Sequence, residues 1–199
     1  IGYDFGSWSA ALRAYPDLAG KPEVLLTNDS MVGPFASMEN VFAAARDSAA
    51  DIYSLTDSRQ GPHHPQSFFL IFRRGILNDA PWQRFFAGVR EQKAKEDTVG
   101  AYEFGVPKVA KAYGYSWESM FPAAAFGLRN ANPTLSLWRE MLDQGIPLLK
   151  RNLVTDPQYH VTAAEMVDAV ERRYGKSVQE WLPGGYRVAG EGSPDNWQG

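Results

Sequence analysis

Between an apolar run and a Gly-Pro turn, the stretch Leu25-Leu26-Thr27-Asn28-Asp29-Ser30 puts an acidic side chain where a buried strand would end. A carboxylate in that position suits Mg²⁺ or Mn²⁺, hard cations that take oxygen ligands and offset the charge of a leaving diphosphate. Asp29 is the natural ligand, with Asn28 and Ser30 beside it; the competing use of these residues is an Asx-turn that satisfies backbone groups. Asp4, between Tyr3 and Phe5, can bind a ribose or sugar hydroxyl, or cap a helix. Tyr102-Glu103 brings a carboxylate to the amino end of a helix, where its ionised form is stabilised and can act as general base toward an acceptor hydroxyl. The same dipole makes it an ordinary helix-favouring Glu. His63-His64 with Gln66 offers a metal ligand or acceptor contacts, or an exposed imidazole pair in a Pro-rich loop. Lys150, within Pro147-Leu148-Leu149-Lys150-Arg151, can set a cation on a diphosphate or stand solvated.

No Walker-A loop, Gly-x-Gly-x-x-Gly fingerprint, nucleophile elbow or His-Glu-x-x-His pair occurs. Nucleotide hydrolysis, dinucleotide redox and serine hydrolysis therefore have no positive support.

Positioning such groups requires a sheet with helices. After Ser7, a good cap, Trp8, Ala11, Leu12 and Tyr15 are helix-spaced up to Pro16. Glu23 to Thr27 reads as a buried strand delivering polar residues at its carboxyl end. A helix is expected from a Ser37 cap through Val41, Phe42 and Ala45, then a strand from Asp51 to Leu55. Residues 59–65 hold too many breakers for regular structure and precede an apolar strand from Ser67 to Phe72. Asp79 caps a helix bearing Trp82, Phe85, Phe86 and Val89, followed by a solvated charged stretch from Arg90 to Asp97. Val106, Val109, Ala110 and Tyr113 are helix-spaced to Gly114, with Glu103 near the amino end. Asn132-Pro133 opens a helix through Trp138 and Leu142 to Gly145, and Thr162 with Glu165 forms a capping box before a helix stopped by Gly175. The pattern implies an α/β domain over residues 1–183 with a mixed sheet and a helical carboxyl-terminal part, then a loosely held tail over 184–199.

The 199 residues, 44% hydrophobic, suffice for one domain burying roughly two-thirds of its unfolded surface. Lys+Arg 20 against Asp+Glu 23 leaves a net charge of -3 with no long run of either sign, which argues against a nucleic-acid partner. The absence of cysteine excludes a thiolate nucleophile and a disulfide scaffold. No apolar run reaches the roughly 20 residues of a membrane span, and no basic-then-apolar leader is present, so the expected location is cytoplasmic. The opening Ile1-Gly2-Tyr3-Asp4 reads as a cut from a longer polypeptide.

Taken in order, Gly2-Tyr3-Asp4-Phe5-Gly6, Leu26 to Ser30 with Gly33-Pro34, Gln66-Ser67-Phe68-Phe69, Tyr102-Glu103, Asn132-Pro133-Thr134 with Trp138, and Pro147 with Lys150 resemble the rhamnan synthesis protein F family over residues 1–153. The resemblance implies a GT-A-like fold and transfer of a sugar, often rhamnose, from a nucleotide-sugar donor to a growing surface polysaccharide or lipid-linked glycan. It also implies peripheral membrane association through other parts of a longer protein. Donor contacts then fall on Asp4, Asn28, Asp29, Ser30 and Lys150, a divalent cation on Asp29, acceptor contacts on His64, Gln66, Ser67 and Tyr102, and the base on Glu103. Two features depart from the GT-A pattern: the amino-terminal nucleotide-binding strands have no counterpart, and the acidic motif holds one Asp where two are usual. Two other readings stand beside this one: a noncatalytic carbohydrate-binding or assembly module, and a metal-dependent hydrolase built on His63-His64.

Overall fold

A computed structural model describes residues 3–90, 102–127 and 130–175. The tail expected over 184–199 lies outside them, as does most of the charged stretch that ends at residue 97.

The strands are β1 (Glu23–Thr27), β2 (Met31–Val32), β3 (Ile52–Ser58), β4 (His64–Pro65), β5 (Phe69–Arg73), β6 (Trp117–Phe121) and β7 (Leu149–Lys150). β5 lies between β1 and β3 and is antiparallel to both, while β6 runs parallel to β3 along Ile52 to Thr56 and β4 pairs with Asp57 and Ser58. It follows that β1, β3 and β6 point the same way, and their carboxyl ends share one rim with the start of β5. The sheet is mixed, as the sequence implies.

Alternation along the strands gives the sheet two apolar faces. Leu26, Ile52, Leu70 and Phe72 pack with α1 (Tyr3–Ala14), α3 (Ala80–Ala87) and α4 (Gly105–Tyr113). Tyr53, Leu55, Phe69 and Ile71 pack with α2 (Glu39–Asp47) and Met141. A third cluster joins Val32 and Leu149 to α6 (Trp138–Asp143), α7 (Asn152–Thr155) and α8 (Ala163–Tyr174), with the short α5 (Pro133–Ser136) leading in. The capping box forms as expected: Thr162 Oγ1 accepts from Glu165 N, and the Glu165 carboxylate accepts from Thr162 N.

Several boundaries differ from the sequence reading. The first helix begins at Tyr3, not after Ser7, because Phe5 and Trp8 are both buried and draw Gly6 and Ser7 into the helix. β3 continues through Thr56, Asp57 and Ser58, all buried, because each polar side chain finds a partner; Thr56 Oγ1, for example, donates to Gln66 at 2.7 Å. The loop of residues 59–65 contains β4, the strand at 69–73 starts two residues late, and β6 has no counterpart in the sequence reading. The helix expected from Asn132 to Gly145 breaks at Leu137 (φ -130°, ψ 37°).

The ladder β2–β7 pairs Met31 with Lys150 and Val32 with Leu149. It brings residue 150 onto the loop that leaves β1, reinforced by Arg151 N to Ser30 O (2.9 Å) and Phe35 N to Pro147 O (2.9 Å). Gly33 makes the approach possible: its φ is +118°, and a Cβ there would lie 2.6 Å from Pro147 O. Gly33→Ala should therefore cost about 2 kcal/mol, read as a lower midpoint in thermal or denaturant unfolding.

At the opposite edge of the sheet, Asp51 accepts from Ser116 N (2.8 Å), Ser116 Oγ (2.9 Å) and Arg74 Nη1 (2.6 Å). Burial raises its pKa, but the Ser116 hydrogen bonds and the Arg74 charge outweigh burial and hold it below the ordinary 3.8. A depressed carboxyl contributes stability above its unfolded pKa and loses it as pH falls through the folded one. Asp51→Ala should thus lower stability by about 2 kcal/mol at neutral pH, with the gap to wild type closing below 3.8; parallel unfolding curves at pH 7 and in acid check this.

Candidate active site at the sheet rim

The rim gathers residues from five separate stretches of chain. Asn28, just past β1, links two of them: Nδ2 donates to Asp4 Oδ2 (2.7 Å), and Oδ1 accepts from Ser30 N (3.1 Å) and Ser30 Oγ (2.7 Å). The Asx-turn and the site contact are therefore made by the same side chain. Asp4 occupies the first turn of α1, half-buried, and Trp8 on the same helix donates Nε1 to Thr27 O at 3.0 Å, fixing α1 against the end of β1. Lys150 Nζ lies 3.4 Å from Ser30 Oγ and 4.9 Å from the centre of the Phe68 ring.

Electrostatics tie the two halves of the rim together. The Asp4 carboxyl is raised above its ordinary value, first by burial and further by the negative charges of Asp29 and Glu103, against the lowering effects of the Asn28 hydrogen bond and the Lys150 charge. Asp4, Asp29, Glu103 and Lys150 are close enough to share one field.

Glu103 lies in a wide helical turn two residues ahead of α4. Ser67 Oγ donates to Glu103 Oε1, and His64 Nε2 lies 4.0 Å from Oε2. His64 Nδ1 is 2.7 Å from Pro62 O, which can only accept, so that nitrogen carries the proton and Nε2 faces the carboxylate. Its ring meets Phe104 edge-on at 4.8 Å. His64 is 4% exposed, not the exposed imidazole of a Pro-rich loop, whereas the Glu103 side chain remains 24% exposed. A carboxylate held by Ser67 on one oxygen and still reachable has the orientation a general base needs.

Two expected acceptor residues are committed elsewhere. Gln66 is buried, with Oε1 accepting from Thr56 and Nε2 donating to Asn132 Oδ1 (3.1 Å). Tyr102 stacks on Phe5 (5.5 Å), and its hydroxyl accepts from Arg90 N (2.7 Å) and donates to Arg90 O (2.9 Å). Both brace the rim.

Two further residues had no place in the sequence reading of the site. Arg151 Nη2 sits 3.0 Å from Asp29 Oδ2, a pairing created by the β2–β7 ladder. Buried Asp57, at the end of β3, accepts from Ala123 N (3.0 Å) and lies 3.3 Å from His63 Nε2. His63 also meets Trp117 edge-on at 4.7 Å, so the two imidazoles turn to different partners and do not form a joint metal site.

Among the described residues the protein alone supplies no three-ligand set for a divalent ion. Asp29, the expected ligand, is 87% exposed and paired with a guanidinium, and no group of three His, Cys, Asp or Glu side chains among the described residues could hold a metal. An apolar cavity of about 210 Å³ between α1 and α3, lined by Leu12, Leu77 and Trp82, includes none of the rim residues. No helix among the described residues is long and apolar enough to cross a membrane.

Comparison with known proteins agrees with the sequence resemblance. The chain is similar to Virulence protein VirA of Vibrio anguillarum, in two records of which one is strain ATCC 68554 / 775, at 23% identity over 188 residues. The match covers 78% of this chain and 60% of the relative, so it spans less than two-thirds of that protein's length. No solved structure matches. A family model described as rhamnan synthesis protein F matches residues 1–179, and the chain therefore belongs to the rhamnan synthesis protein F family.

Proposed function

We propose that the rim transfers a glycosyl group from a nucleotide-sugar donor to a hydroxyl of a growing surface polysaccharide or lipid-linked glycan, in the cytoplasm at the inner face of the membrane. Membership in a rhamnan synthesis family supports polysaccharide chemistry and makes rhamnose the first sugar to try. The observation that carries the reading is Glu103, held by Ser67 and faced by His64, on the same rim as the Asp4–Asn28–Ser30–Lys150 cluster.

In this reading Glu103 removes the proton of the acceptor hydroxyl while that oxygen bonds to the anomeric carbon. The bond from that carbon to the diphosphate oxygen breaks in the same step, inverting the centre. The leaving diphosphate takes the electron pair, and Lys150 offsets part of its charge. Ser67 fixes the carboxylate rotamer, so a base already in line loses little freedom as it reacts.

Turnover is measured as nucleoside diphosphate release from nucleotide-sugars in the presence of isolated glycan. Glu103→Gln should lower it by about 10²-fold or more, and Ser67→Ala by about tenfold, with little change in donor affinity. Turnover by Glu103→Gln at the wild-type rate would remove Glu103 from the mechanism, and glycan binding with no turnover in the unmutated protein would favour the noncatalytic module.

A further inference from the structure

Beyond the base, the rim presents two consecutive cations, at the end of β7 and just past it, to the loop after β1. Lys150 reaches Ser30 Oγ and lies over Phe68, while Arg151 reaches the carboxylate of Asp29 at 3.0 Å. The Arg151 side chain is 36% exposed and Asp29 is 87% exposed. A guanidinium has five N–H donors in a rigid fork that matches phosphate, and one contact to Asp29 leaves donors to spare. The other rim carboxylates are turned to partners, Asp4 onto Asn28 Nδ2 and Glu103 onto Ser67. A cation pair in this position does what a divalent ion does for a leaving diphosphate: it neutralises charge next to the bond that breaks.

We propose that Lys150 and Arg151 clamp the donor diphosphate directly, without a divalent ion, and that Asp29 is a positioning residue that aims the Arg151 guanidinium. The identity of the ligand rests on the transferase reading; the clamp itself rests on the β2–β7 ladder and the Asp29–Arg151 pair. Arg151 thereby becomes a donor-binding residue, and Asp29 leaves the metal role.

The test is calorimetric titration of the protein with inorganic pyrophosphate, in EDTA and again with Mg²⁺ or Mn²⁺. Pyrophosphate should bind in EDTA. Arg151→Gln and Lys150→Gln should each weaken binding about tenfold, and Arg151→Lys, which keeps the charge but loses the fork, should fall between. Asp29→Asn should weaken it only a few-fold, to the same extent with and without metal. Thermal melting of each variant identifies any loss caused by misfolding, and Arg151→Lys carries the test if Arg151→Gln fails to fold. Binding that appears only with added metal and disappears in Asp29→Asn would overturn the clamp, as would no binding in either condition or binding in EDTA indifferent to both Gln variants. Metal-free pyrophosphate binding by a protein that never turns over would sink the transferase reading and leave the clamp, whereas strictly metal-dependent turnover would do the reverse.

Discussion

The geometry of the rim depends on β5 running against both of its neighbours. Because its start lies beside the end of β1, with Thr27 opposite Phe69 and Thr27 Oγ1 donating to Phe68 O at 2.8 Å, the turn carrying Asn28 and the approach carrying Ser67 emerge at one edge. Side chains alternate along a strand, so a one-residue slip of β5 in this register would turn Leu70 out of the core. The same slip would separate Ser67 from Glu103. Packing and site geometry are thus set by one pairing.

Polar groups inside the sheet likewise fix how its other strands pair. Ser54 and Ser119 share a hydrogen bond at 2.6 Å between the parallel strands β3 and β6, and Thr56 and Gln66 share another near the rim. A slipped register would leave these buried groups unpaired, a cost of about 1–3 kcal/mol each. At the far end of β5, buried Arg73 donates to Arg46 O, Ser48 O and Ala50 O, tying the carboxyl end of α2 to the sheet. A cation in that position also suits the negative end of the helix dipole.

Much of the fold was legible because burial followed pattern. The apolar body of β5, α4 and the capped α8 read directly from spacing, as did the span of β1, although β1 is an edge strand with Leu26 alone buried and not the buried strand expected. What escaped were elements whose signal is polar until partners are known: Thr56-Asp57-Ser58 looks like a strand end, and Trp117-Glu118-Ser119-Met120-Phe121 has no apolar run. The site divides the same way. Asp4, Asn28, Ser30, Lys150, Ser67 and Glu103 could be picked out by residue type and order, and the structure brings them together. Arg151 could not, because its role depends on a ladder formed across 120 residues of chain, and nothing local distinguishes it from a solvated arginine. For Gln66 and Tyr102 the structure shows internal hydrogen-bond partners, which hydrogen-bonding capacity in a sequence does not reveal.

The amide at position 28 has a consequence for how the loop and the first helix meet. Asn28 donates to Asp4 across 24 residues; a carboxylate in its place would face another carboxylate at hydrogen-bond distance, and one of the two would have to hold a proton. The amide thus lets α1 meet this loop through one acid and no shared proton, where an Asp at position 28 would have made an acidic pair of the junction.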